Sequence, residues 1–103
     1  MNAMEKIQNI IEVGYQIMPD ETDRQLTSLV NGNTINCPAL ANLINEITIK
    51  SYVMIEKAEI PQSDKADALK AARGIDGEQL IQQASPSVLG NYILGLVKTD
   101  DVR

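Results

Sequence analysis

The sequence has no histidine and only one cysteine, Cys37. Without histidine, the chain cannot form the Ser-His-Asp or Cys-His arrangements that activate most nucleophiles. A single cysteine forms no intrachain disulfide, and zinc sites normally need several Cys and His ligands. We therefore expect no enzymatic activity, no cofactor and no metal site. We interpret Cys37 as a small residue at the start of a helix.

Phenylalanine and tryptophan are also absent, and the only aromatic residues are three tyrosines. A core must therefore be built from aliphatic side chains, which is feasible for one domain in a chain of 103 residues. No apolar run approaches the length that spans a membrane, and the first residues lack the pattern of a signal peptide. We expect a cytoplasmic protein without membrane association.

Basic residues are few, with 9 against 14 acidic residues and a net charge of −5. A negative chain is repelled by phosphate backbones and anionic lipids, so nucleic acid is an unfavourable partner. The charge is uneven, because residues 50–73 carry five basic and four acidic side chains while both flanking segments are acidic. This segment is therefore slightly positive in an otherwise acidic protein.

Apolar residues recur at helical spacing through most of the chain, which predicts an all-α fold. The expected architecture is a compact bundle of five or six helices around a long central helix at about residues 38–60. The first helix, at about 2–18, and the last helix, at about 86–98, are expected to lie against it. Residues 1–98 form the predicted single domain, and residues 99–103 a short flexible tail.

Glycine and proline mark the expected helix boundaries. Pro19 ends the first helix, and Thr22 with Gln25 has the spacing of a capping box for the second. Gly32 is predicted to stop that helix in the left-handed conformation, and Ser63 to cap the fourth helix. Within the apolar stripe of the first helix, Gly14 predicts the close approach of another helix backbone.

The predicted central helix is apolar on two sides, which is typical of a helix with neighbours on both. We predict that its first face lies in the core; this face carries Leu40, Ile44, Ile47 and Met54. The second side must be covered either by the last helix or by another molecule, and it carries Ile49, Tyr52, Val53 and Ile60. The last helix also has a broad apolar arc, which includes Tyr92 and Leu94.

These patterns favour a non-catalytic protein–protein interaction module, such as an adaptor, an inhibitor, a chaperone or an immunity-type protein. The expected partner is another protein or, in a homo-oligomer, a second copy of the chain. The candidate partner-binding residues are Ile49, Tyr52, Val53, Ile60, Tyr92 and Leu94.

A second hypothesis is a helix-turn-helix regulator that binds nucleic acid through residues 67–83, where two short helices flank a glycine-containing turn. Lys70 occupies a position that usually needs a small residue, and the second helix begins with Asp76 and Glu78 and has no basic residue. These features count against the hypothesis.

A third hypothesis is a Mg²⁺-dependent all-α nucleotide pyrophosphatase, because Glu56 and Glu59 lie three residues apart and two aspartate pairs have the same spacing. Both aspartate pairs lie at predicted helix starts, where the helix dipole already accounts for them. We therefore give this hypothesis the least weight.

Overall fold

The computed structural model describes the backbone of residues 2–101 and the side chains of residues 2–97. The prediction of an all-α bundle around a long helix is confirmed, with one small antiparallel sheet added. The helices are α1 (Ala3–Ile17), α2 (Pro19–Leu29), α3 (Cys37–Lys57), α4 (Gln62–Arg73), α5 (Gly77–Gln83) and α6 (Pro86–Asp101). The strands are β1 (Val30–Asn31) and β2 (Thr34–Ile35).

The core is aliphatic and is built around the amino-terminal half of α3. Its fully buried large apolar side chains are Ile7, Ile11, Leu26, Leu40, Leu43, Ile44, Ile47, Leu89 and Ile93. Helices α1, α4 and α5 approach α3 most closely, whereas α6 approaches α2 and β2. The last helix thus adds two residues to the core from the α2 side. The expectation that it lies against α3 is wrong.

The connection between α1 and α2 is tighter than predicted. Helix α2 begins at Pro19, because a proline in the first turn loses no helical hydrogen bond. The predicted capping box at Thr22 is therefore wrong, and Thr22 lies inside α2 with its side chain fully buried. Its hydroxyl group has no hydrogen-bond partner among the described residues.

A short β-hairpin replaces the predicted polar link between α2 and α3. Val30 pairs with Ile35 and Asn31 with Thr34, so Gly32 and Asn33 form a two-residue loop. Gly32 has a φ of 67°, and no non-glycine residue that the structure describes has a positive φ, which is the pattern of a type II′ turn. The left-handed conformation predicted at Gly32 is confirmed, but it serves a hairpin rather than a helix end.

Helix α3 starts as predicted and ends earlier than predicted. The side chain of Asn36 caps its first turn by accepting a hydrogen bond from the backbone N–H of Ala39 at 3.1 Å. The helix ends at Lys57, and Pro61 precedes α4, so the predicted cap at Ser63 is wrong. Pro61 disfavours the helical conformation at Ile60, so α3 cannot continue into α4.

Two glycines allow close contacts around α3. A Cβ atom at Gly77 would lie 2.5 Å from the carbonyl oxygen of Ala41, so this is where two helix backbones meet. A Cβ atom at Gly14 would lie 2.6 Å from the Cδ1 atom of Ile47. The close contact predicted at Gly14 is therefore with a side chain and not with a backbone.

Helix α6 continues to Asp101, so residues 99–101 of the predicted tail are helical, and residues 102–103 lie outside the described residues. Within residues 2–101, no helix combines the length and the hydropathy needed to cross a membrane.

We expect Gly77→Ala to lower the free energy of unfolding by about 1–3 kcal/mol, because the added methyl group overlaps the Ala41 carbonyl oxygen. Urea denaturation provides the measurement. The matched control is Gly90→Ala in α6, where a Cβ atom would have no neighbour within 4 Å. This control should raise stability by about 0.5–1 kcal/mol, since alanine favours helix more than glycine does. Equal effects at the two positions would contradict the described contact between α5 and α3.

Candidate protein-binding surface

Residues 48–76 form a helical arm that buries none of its side chains. The buried positions of α3 end at Ile47, and α4 has no buried residue. The helical arm therefore comprises the second half of α3, the segment 58–61, α4 and the turn before α5. The outer faces of this helix pair therefore remain in contact with water.

Most of the exposed large apolar side chains lie on this arm. Ile49 is 64% exposed, Met54 53%, Val53 42% and Ile60 42%, and among the described side chains only Val88 on α6 belongs to the same group. The prediction that Met54 lies in the core is wrong. It shares a helical face with core residues, but the core ends at Ile47, about two turns earlier.

An open groove of about 500 Å³ runs between α3 and the carboxyl end of α4. Its lining residues are Asn45, Thr48, Ile49, Tyr52, Val53, Ala72, Arg73 and Ile75. Leu69 is the only large apolar residue of α4, so this helix has few apolar side chains with which to fill the groove. Grooves with apolar walls between two helices are typical sites for an added helix.

Tyr52 and Arg73 join the two walls of the groove. The guanidinium group of Arg73 donates a hydrogen bond to the hydroxyl oxygen of Tyr52, and its central carbon lies 5.5 Å from the ring centroid. Arg73 forms no ion pair with any carboxylate that the structure describes. Its other N–H groups can therefore donate hydrogen bonds to a partner's acceptor groups at the edge of the groove.

Asn45 and Thr48, the other polar residues of the groove, each make a hydrogen bond within the chain. The Oδ1 atom of Asn45 accepts the backbone N–H of Gly77 at 2.8 Å, and the Thr48 hydroxyl donates to the Ile44 carbonyl at 2.8 Å. At the far end of the arm, the Nζ atom of Lys65 donates to the carbonyl oxygen of Glu56 at 3.1 Å. What the groove offers a partner is therefore mainly apolar contact.

The structure brings together three of the six predicted partner-binding residues. Ile49, Tyr52 and Val53 line the groove, and Ile60 is exposed in the segment between the two helices of the arm.

The other two predicted residues lie on α6, outside the groove. Tyr92 packs against the core, and burial, with a smaller contribution from the negative charge of Glu12, raises the pKa of its hydroxyl. Leu94 is partly buried. Since α6 runs beside α2, these two residues do not extend the α3 surface.

Sequence reasoning missed the α4 side of the groove, formed by Ala72, Arg73 and Ile75. A signal for it was present, because a helix with one large apolar residue cannot cover the apolar side of α3.

The two alternative hypotheses gain no support from the geometry. Lys70 lines a separate cleft between α1 and α4 beside Asp67, while Arg73 is hydrogen-bonded to Tyr52. Within residues 2–97, no three His, Cys, Asp or Glu side chains are arranged to hold a metal ion.

Comparison of the chain with protein-family models, with curated proteins and with solved structures gives no significant match.

We expect two isoleucines on α3 to respond differently to the same substitution. Ile47→Ala should lower the free energy of unfolding by about 2–5 kcal/mol, because it leaves a cavity in the core. Ile49→Ala should change it by less than about 0.5 kcal/mol, because that side chain is in water. Urea denaturation at low protein concentration measures both. A large loss for Ile49→Ala would show that the chain itself covers this surface.

Proposed function

We propose that the protein is a non-catalytic protein–protein interaction module that binds its partner through the helical arm. The observation that carries this proposal is that Ile49 and Val53 lie exposed together beside the groove, on an arm without buried residues. Contiguous apolar surface in contact with water is costly, and its burial by a partner is the main source of binding free energy.

The chemistry of the groove also favours binding over catalysis. Asn45, Thr48 and Tyr52 are each engaged in a hydrogen bond with another group of the chain. None of them is paired with a general base, as an activated nucleophile would be. The lining instead combines aliphatic side chains with one tyrosine and one arginine, residue types that are frequent at binding hot spots.

We further propose that the protein works in a reducing, cytoplasmic environment. Cys37 is an exposed free thiol, and such thiols are typical of compartments in which disulfides do not form.

We expect Val53→Glu to abolish partner capture, because the new carboxylate cannot be buried against an apolar partner without a large desolvation cost. The experiment compares proteins captured from the native cell lysate by the tagged wild type and by the variant. Val88→Glu on α6 is the matched control, because Val88 is also exposed, at 50%, but lies outside the arm. Wild type and Val88→Glu should capture the same partner. Capture that is insensitive to Val53→Glu would contradict the proposal.

A further inference from the structure

We propose that the protein binds a medium-chain aliphatic carboxylate between α1 and α4, with the alkyl chain in an apolar crevice and the carboxylate between Lys6 and Lys70. This ligand site shares lining residues with the groove, but Ile49 and Val53 are not among them. The inference therefore does not rest on the proposed function. It follows from the shape of the space between the two helices and from the side chains at its two ends.

The crevice is a small space enclosed by three helices. Helices α1 and α4 both pack against α3, and a volume of about 190 Å³ remains between the three. Its apolar lining residues are Ile10, Val13, Ile47, Ala71, Ala72 and Ile75. An apolar cavity of about 150 Å³ is large enough to bind a benzene-sized molecule, so the crevice can hold a short alkyl chain.

The hydroxyl groups in the crevice are turned back onto α3. The Thr48 hydroxyl donates to the carbonyl oxygen of Ile44, and the Ser51 hydroxyl donates to that of Ile47, both at 2.8 Å. A polar ligand would therefore lose hydrogen bonds to water and find few replacements here. An alkyl chain loses none, and its burial is favourable.

The crevice opens into the wider cleft that Lys70 lines, which has a volume of about 610 Å³. Asn9, Ile10, Ala71 and Ile75 line both spaces, so the crevice and the cleft are continuous. A ligand can therefore enter through the cleft and place one end in the crevice.

The charged side chains lie in the cleft and not in the crevice. Lys6 from α1 and Lys70 from α4 face this space together with Asp67, so one positive charge is in excess. Neither lysine forms an ion pair with a described side chain. This local excess suits a ligand with a single negative charge. The net charge of −5 on the whole chain opposes binding of an anion, but salt screens its more distant charges.

The positions of the two ends set the length of the ligand. Lys6 lines only the cleft and Val13 only the crevice. These residues are seven positions apart on α1, which corresponds to about 10 Å along the helix axis. An extended chain of about eight carbon atoms, with C–C bonds of about 1.5 Å, covers a similar distance. Octanoate is therefore the probe that matches the site.

A methyl-resolved NMR titration with octanoate tests the inference. Octanoate should bind with a Kd of about 1 mM or lower. It should shift the methyl signals of Ile10 and Val13 more than those of Ile49 and Val53, which line the groove but not the crevice. Butyrate has the same charge but four fewer CH₂ groups. It should bind at least about a hundredfold more weakly, since each buried CH₂ group contributes roughly a factor of three to four.

The charge of the cleft is tested with 1-octanol, which has the same chain length as octanoate but no charge. Lys6→Gln and Lys70→Gln should each weaken octanoate binding about two- to fivefold and leave octanol binding unchanged. Asp67→Asn should strengthen octanoate binding by a similar factor, because it removes a like charge. Lys57→Gln is the matched control, since it changes the net charge equally but lies outside the cleft and the crevice. It should leave octanoate binding nearly unchanged.

Ala71→Leu tests the crevice itself. Ala71 is exposed and lies where the cleft meets the crevice, so the larger side chain should block binding of both octanoate and octanol without unfolding the protein. Octanoate that shows no saturation up to about 10 mM would overturn the inference. So would octanoate binding that Ala71→Leu leaves intact, that neither lysine substitution weakens, or that shifts only the signals of Ile49 and Val53.

Discussion

Burial of the amino-terminal half of α3 is the constraint on which the rest of the structure depends. Leu40, Leu43, Ile44 and Ile47 are at most 1% exposed, and α1, α2 and α6 supply the aliphatic side chains around them. With no phenylalanine or tryptophan, this small core covers only part of a helix of 21 residues. The remaining turns of α3 extend past the core, and their apolar residues stay in contact with water.

Polar contacts connect the arm along its length to α3. Lys65 donates a hydrogen bond to the end of α3, and Arg73 donates one to Tyr52 in the middle. The backbone N–H of Gly77 donates one to Asn45 at the edge of the core. Gly77 also permits the close packing of α5 on α3, which fixes where the arm leaves the core. These contacts orient the two helices but leave the space between them unfilled. That unfilled space is the groove with its apolar walls.

Periodicity in the sequence predicted the all-α fold, the buried half of α3 and three residues of the groove. It identified which face of α3 is apolar but not how far the core extends along it, because that length is set by the neighbouring helices. Met54 was misplaced for this reason. The apolar arc of α6 likewise did not indicate whether its neighbour is α2 or α3. The hairpin was missed because its strands have two residues each, although Gly32-Asn33 is a recognised turn sequence.

The central claim is that the core ends at Ile47 and that the arm beyond it is held only weakly. Amide hydrogen exchange at low protein concentration tests it most directly, because exchange rates report local opening along the chain. The amides of residues 43–47 should exchange only through global unfolding, and those of α4 at least about tenfold faster through local opening. Protection of α4 equal to that of residues 43–47 would contradict the claim, because it would mean that the arm belongs to the same cooperative core.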